Sequence, residues 1–345
     1  MKNFSIKKER VKVPKRRIRI GVVGLGKMGL LHSSLLNTFQ DVELVALCDR
    51  NALMTRVCRS IFSSTGVVVV NSVEKFNEFA LDAVYITTPI SSHFPIVKDL
   101  YAKKTVCNLF TEKTLASNSS QAEEMSEIAK KIGGITMVGY MKRFSVVFKK
   151  AKEFLAAGDL GEPVSFNAYA YSSDFLGLTK DSKSSASRGG ALKDIGCHII
   201  DLAFWLFGDL KVTEVTSCDK IGDSEISASF IVTSPNEIAG RFDVSQRMLN
   251  YRMPEFGFSI ECPRAKLDVN DDRLRLTLKD GSQKTLYRHD LHDNVPFWLG
   301  ETEYHRENEE FINSIIDNRM CEPNFETALK VDRLIDQVKQ RAATL

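Results

Sequence analysis

The chain has 345 residues, 47 of them Lys or Arg and 44 Asp or Glu, with 43% hydrophobic, which is enough length and apolar mass for two domains with their own cores. The near balance of charge argues against a basic nucleic-acid-binding surface, and no apolar run reaches the ~18 to 20 residues of a membrane helix. The seven cysteines are odd in number, scattered and without a C-x-x-C pair, so they read as reduced thiols of a cytoplasmic protein rather than as disulfides or metal ligands.

Residues 1–17, MKNFSIKKERVKVPKRR, hold much of the basic excess. They lack the apolar core of a secretory signal and the composition of a transit peptide, so a short disordered arm is expected. Residues 18–140 then alternate short β-branched runs with amphipathic stretches, the order of βαβ units in a doubly wound parallel sheet. The first strand, IRIGVVG, leads into GVVGLGKMGLLH, where Gly24, Gly26 and Gly29 form G-x-G-x-x-G around Lys27 and Met28. The first glycine permits the tight turn, the second lets backbone approach a pyrophosphate, and the third lets helix and strand pack closely. The helix start adds free N–H groups and a partial positive charge.

The second strand, VELVALC, runs to Asp49, twenty residues past Gly29 and about where a carboxylate meets the adenosine ribose hydroxyls. Glycine turn and acid together predict a dinucleotide site; the alternative is a packing turn that holds no ligand. Asp49 would accept a bond from a free 2′-OH and repel a 2′-phosphate, which favours NAD. Lys27 and Arg50 flank the ribose position and could pair with such a phosphate, which leaves NADP open. Strands GVVVV, AVYITT, TVCNLF and ITMVGY complete the sheet, with helices over 91–102 and 119–131 between them.

Residues 141–345 read as a second, α+β domain. A helix, SVVFKKAKEFLAAG, is followed by the strand PVSFNAYAY and a polar loop, SSDFLGLTKDSKSSASRGG, placed where a substrate lid would sit. An apolar helix over 191–207 should be buried. Alternating patterns from Val212 to Arg288, with a tight turn at KDGS, predict a mainly antiparallel open sheet. Two helices, 301–316 and 326–340, close the chain, and the last is expected to pack back on the first domain.

Five segments in order, GLGKMG, YITTPISSHF, TEKTLAS, GYMKRF and GGALKDIGCHIIDLAFWLFG, together resemble the glucose-fructose oxidoreductase / inositol dehydrogenase family of NAD(P)-dependent sugar oxidoreductases. The resemblance covers nearly everything beyond the basic arm. It implies a Rossmann domain followed by an open-sheet α+β domain, a sugar, cyclic polyol or nucleotide sugar as substrate, and a homodimer or homotetramer formed through the second sheet. It further implies that Thr88, Pro89 and His93 line the cofactor, that Glu112 contacts the nicotinamide ribose, and that Lys113, Asp194 and His198 meet the reacting hydroxyl. The family's E-K-P motif is Glu112-Lys113-Thr114 here, so a proline that would restrain Lys113 is missing.

The residue chemistry agrees with that assignment. Alcohol oxidation needs a base within reach of the hydroxyl, and His198 suits the task near neutral pH. Asp194, four residues earlier, shares its helix face and is placed to orient the ring or meet substrate. Lys113, at the C-terminal end of a parallel strand, can stabilise charge on the oxygen. Taken alone, His198 would read as a packed residue bonded to Asp201. Lys142 and Arg143 open the second domain at the cleft and are candidate substrate contacts; the plainer reading makes them solvated. Tyr171 and Tyr304 are candidates for a sugar-facing wall. Two other functions stay open: a redox-neutral NAD-dependent glycoside hydrolase or eliminase, and a non-enzymatic dinucleotide-sensing regulator.

Overall fold

The computed structural model describes residues 16–174, 189–222, 224–291, 295 and 301–344. Fourteen residues of the proposed lid, 175–188, and most of the basic arm therefore lie outside the described residues. Six strands, β1 (Ile18–Val23), β2 (Val42–Cys48), β3 (Val68–Val70), β4 (Ala83–Ile86), β5 (Asn108–Thr111) and β6 (Thr136–Val138), pair in parallel in the order β3-β2-β1-β4-β5-β6. Successive residues feed opposite cores. Ile20, Val22, Ala83 and Tyr85 face one layer, whereas Val23, Val84 and Ile86 face the other, which is why these strands read as continuous apolar runs. Helices α1 (Lys27–Leu36), α2 (Ala52–Ile61), α3 (His93–Ala102) and α4 (Ser119–Ile132) cover the two faces.

After α5 (Val146–Ala156) the chain builds an eight-stranded sheet. It uses β7 (Ser165–Tyr171), β8 (Lys211–Ile221), β9 (Ser224–Thr233), β10 (Ala239–Ser245), β11 (Glu255–Glu261), β12 (Ala265–Asn270), β13 (Arg273–Leu278) and β14 (Gln283–Tyr287). Their order is β14-β13-β12-β11-β7-β10-β9-β8, antiparallel throughout except for the β7–β10 pair. On β7 the alternation is clean: Phe166, Ala168 and Ala170 are buried, while Asn167, Tyr169 and Tyr171 stand on the opposite face. The buried side receives α6 (Cys197–Phe207), whose Phe207 stacks on Phe166 with ring centroids 4.3 Å apart.

The last two helices return to the first sheet. Phe311 and Ile312 of α7 (Thr302–Asp317) enter the apolar layer of Ile20, Tyr85 and Phe110. α8 (Phe325–Ala342) contributes Phe325, Val331, Leu334, Ile335 and Val338 to a core that runs continuously from the β4 layer to α6 and the second sheet. Among the described residues no helix is long and apolar enough to cross a membrane.

Candidate active site

The glycine turn meets the three demands made of it. Gly24 adopts φ +94°, and a Cβ there would lie 2.7 Å from Thr88 Cγ2. A Cβ on Gly29 would lie 1.8 Å from the Gly24 carbonyl oxygen, so helix and turn meet backbone to backbone. At Gly26 the same test meets nothing within 4 Å. Gly26 is the N-cap of α1 and offers no side-chain cap, so the first N–H groups of the helix remain available to an anion. The open space beside them fits a pyrophosphate. Gly26→Ala is therefore expected to leave Tm unchanged while weakening NAD by roughly tenfold or more in a binding titration.

A cleft of about 740 Å3 begins at this turn, at the C-terminal ends of β1, β2 and β4. Gly24, Gly26, Lys27, Met28, Asp49, Arg50, Thr88 and Pro89 all line it, and so does Glu74. Asp49 also braces the turn: Oδ2 accepts from Leu25 N at 2.6 Å and Oδ1 from Asn51 N at 2.7 Å. Each carboxylate oxygen retains a second acceptor site for a ribose hydroxyl. Thr87, which the sequence did not single out, ties β4 to the turn, its Oγ1 donating to Gly24 O at 2.7 Å.

Beyond the end of β5 the chain places Lys113 across from the start of the α6 segment. Residues Leu192–Gly196 form a π-turn that precedes α6, and Asp194 projects from it. Lys113 Nζ donates to the Asp194 main-chain oxygen and lies 3.3 Å from its Oδ1. Burial disfavours the Lys113 ammonium, but Cys197, Asp194 and Glu112 around it more than offset that, so its pKa lies above the ordinary lysine value. The Lys113–Thr114 peptide is cis. His198 is 5% exposed and its Nδ1 has no hydrogen-bond partner among the described residues. Burial, then the positive charges of Lys113 and Lys142, hold it well below the usual histidine pKa, so it is neutral at pH 7.

The structure brings together Lys113, Asp194 and His198, but not in the pairing expected. Asp194 takes Lys113 on Oδ1 and Gln246 Nε2 on Oδ2 at 2.8 Å, and it does not hold the His198 ring through Nδ1. Asp201 is engaged too, accepting from Arg143 Nε and Nη2 at 2.7 Å each. The π-turn is one reason: an extra residue in the turn shifts Asp194 off the i, i+4 register with His198.

Other candidates lie elsewhere than expected. Arg143 is not solvated; it is buried against Asp201, because the apolar helix α6 buries that carboxylate and a charge there needs a partner. Lys142 is not solvated either. Its Nζ lies 2.7 Å from Asp271 and 2.9 Å from Glu301, over the Phe256 ring that also touches His198. Tyr171 stands on the outer face of the second sheet, away from α6, with its hydroxyl on Asp243 at 2.6 Å. Strand alternation sends it there. Tyr304 packs edge-on against His32, ring centroids 6.0 Å apart, with Glu112 and Glu301 nearby. His93 is fully buried, its ring between the Thr88 oxygen at 2.8 Å and the Thr114 oxygen at 3.0 Å, so it clamps two cofactor-side loops together from behind.

Two further residues carried no sequence signal. Gln246 follows β10 and reads as an ordinary turn residue, yet it is fully buried and fixes Asp194. Glu307 on α7 is fully buried, with neither carboxyl oxygen hydrogen-bonded among the described residues. Burial, then Glu112 and Asp201, raise its pKa well above the ordinary 4.5. The folded chain thus keeps a proton there that the unfolded chain releases, and this stabilisation is lost as pH rises from the unfolded value toward the folded one. Glu307→Gln is expected to remove that loss: from pH 5 to 8 the wild-type unfolding free energy should fall relative to that of the variant by up to about 1.4 kcal/mol per pH unit, and the wild-type Tm should fall with it. Calorimetry across that range checks it.

Comparison with known proteins finds relatives of this chain in sequence and in fold. The family model described as "Oxidoreductase family, NAD-binding Rossmann fold" matches residues 18–140, and that of the "GFO/IDH/MocA C-terminal domain" matches residues 148–268. The chain is 27% identical over 220 residues to the scyllo-inositol 2-dehydrogenase (NAD(+)) of Bacillus subtilis, covering 59% of this chain and 58% of that protein. It is 27% identical over 222 residues to the D-glucoside 3-dehydrogenase of Escherichia coli, covering 62% and 61%. It thus spans about three fifths of the length of the curated relatives it matches. Among solved structures, levoglucosan dehydrogenase in complex with NADH and L-sorbose superposes with a TM-score of 0.82 at 18% identity, over 95% of this chain and 97% of that one. An NAD binding oxidoreductase from Klebsiella pneumoniae gives 0.82 at 22% identity over the same shares.

Proposed function

The chain belongs to the GFO/IDH/MocA family of oxidoreductases, with an NAD-binding Rossmann domain, and on that premise we propose that it transfers a hydride between a secondary hydroxyl of a sugar or polyol and the nicotinamide. The observation that carries this reading is a protonated lysine and a neutral histidine brought together where the first sheet ends: Lys113 held by Asp194, and His198 kept uncharged by burial and two nearby cations. NAD, when bound, supplies the hydride acceptor. His198 takes the proton that leaves the hydroxyl oxygen. Lys113 stabilises the negative charge building on that oxygen, in surroundings where charge is poorly screened. Asp194, itself fixed by Gln246, keeps the ammonium in place, and burial, then Lys113 and Lys142, keep His198 from holding a proton before substrate arrives.

Two carboxylates, Asp49 and Glu74, line the cleft at the adenosine end beside Lys27 and Arg50, and this supports NAD over NADP. A tenfold lower KM for NADP would reverse that choice. The half-buried Tyr169 and Tyr171 on the outer face of the second sheet support assembly into a homodimer or homotetramer through that face. A monomer by light scattering contradicts it. The reaction itself is tested by absorbance at 340 nm with NAD and a panel of inositols, glucosides and free sugars. Net reduced cofactor supports the dehydrogenase; product without it points to the redox-neutral reaction; tight NAD binding with no turnover points to a sensor.

A further inference from the structure

His32 closes the stretch GVVGLGKMGLLH, and nothing in the hydride-transfer reading uses it. It lies on the buried side of α1 and is wholly inaccessible. Its ring spans the two domains: Nδ1 is 3.0 Å from Asn308 Oδ1 on α7, and Nε2 is 3.0 Å from Glu112 Oε1 at the end of β5. The proton count of this chain of contacts follows from its far end. Asn308 Nδ2 donates to the Tyr304 carbonyl at 2.7 Å, so the amide is oriented with its oxygen toward the ring. An amide oxygen only accepts, so Nδ1 must carry a hydrogen. In a neutral imidazole Nε2 would then be a bare lone pair facing a carboxylate oxygen in a buried site, an arrangement that costs free energy instead of gaining it. A proton therefore sits between Nε2 and Oε1.

Its position is biased toward the ring. Glu112 Oε2 accepts the Lys113 backbone N–H at 3.1 Å, and the Lys113 ammonium is close by. Burial alone would favour a neutral Glu112, yet the bond to His32 and the charges of His32 and Lys113 outweigh it and hold Glu112 below its ordinary pKa. The other titratable groups facing the pair are Tyr85, His93, Tyr304 and Glu307. The carboxyl group is also fenced by Gly139, where a Cβ would come within 3.3 Å of it.

We infer that His32 is a buried imidazolium, locked in that form by Asn308, and that it acts as a positioning residue which keeps Glu112 ionised directly beneath the Lys113 loop. Its consequence for function rests on the hydride-transfer reading above: an ionised Glu112 favours the positively charged nicotinamide of NAD over the neutral ring of NADH. Without His32, Glu112 would pick up a proton from solution as pH falls.

The first test needs no cofactor. In protein labelled with 15N-histidine, the ring signal absent from His32→Gln belongs to His32. At pH 7 both its nitrogens are expected to show bound protons. A neutral Nδ1–H ring there, which would place the proton on Glu112, overturns the inference. Asn308→Leu removes the amide acceptor and should convert His32 to a neutral ring protonated on Nε2; an unchanged imidazolium refutes the lock. The second test is NAD affinity by titration from pH 6 to 8.5. Wild type should vary by less than about twofold, whereas His32→Gln should bind about tenfold more weakly at pH 6 than at pH 8.5. A flat profile in both proteins overturns the positioning role. Failure of the wild type to bind NAD at any pH would refute the hydride-transfer reading, and the ring signals would still decide the state of His32.

Discussion

Lys113→Met is expected to lower kcat by about 10^2 to 10^4-fold with little change in NAD affinity, because the substitution keeps the side chain's length and removes the charge that meets the developing alkoxide. The loss should exceed that from the missing cation alone. Asp194 would keep its Gln246 contact but lose the Lys113 ammonium, so more of its negative charge would oppose the developing alkoxide. His198→Gln should give a loss of ~10^2-fold or more, and for a different reason: a hydrogen-bonding side chain remains, but the proton acceptor does not. The two variants separate by pH. Removing Lys113 withdraws one of the cations that hold His198 neutral, so any residual activity of Lys113→Met should show its acid limb at higher pH than wild type. Steady-state kinetics with whichever sugar or polyol proves active checks both. Turnover within threefold of wild type in either variant would remove that residue from the mechanism.

Asp201→Ala should produce the largest loss of stability of any single change at the site, about 3 to 5 kcal/mol. Arg143 is 6% exposed, and its guanidinium meets Asp201 through two parallel 2.7 Å bonds. Removing the carboxylate strands a charge under α6 with, among the described residues, only Glu322, 3.7 Å away, to answer it. Tm should fall by roughly 10 °C. The double change Arg143→Met with Asp201→Leu should recover most of that loss, since two apolar side chains leave no unpaired charge behind. Calorimetry of the three proteins tests the claim; a single variant within about 2 °C of wild type would mean the pair is hydrated. NAD binding should survive in the double variant, because Gly24, Gly26 and Asp49 belong to a different layer.

Much of this was written in local sequence. The period of two in β7 and the continuous apolar runs of β1 and β4 reveal which strands have one covered face and which have two. The glycine turn is legible because each glycine answers a demand made by atoms only a few residues away, or by the one strand beside it. Asp49 is legible because the second strand fixes its distance from the turn. Lys113, Asp194 and His198 could be singled out by a resemblance of ordered motifs, and the structure does gather them.

What the sequence could not say is which polar group meets which. Arg143 and Lys142 are neighbours in the chain, yet one is buried against Asp201 of α6 and the other against Asp271 and Glu301. Asp194 and His198 have the spacing of a helical pair, but a π-turn and the distant Gln246 take Asp194 to Lys113 instead. His32 has the pattern of any buried helix residue until α7, some 276 positions later, brings Asn308 to its ring. Periodicity determined the elements, their faces and the cofactor turn, because those follow from backbone geometry within one or two turns of chain. Partner choice, and with it every protonation state in the site, was decided only when burial removed water and left each charge to the nearest group that the tertiary fold supplied.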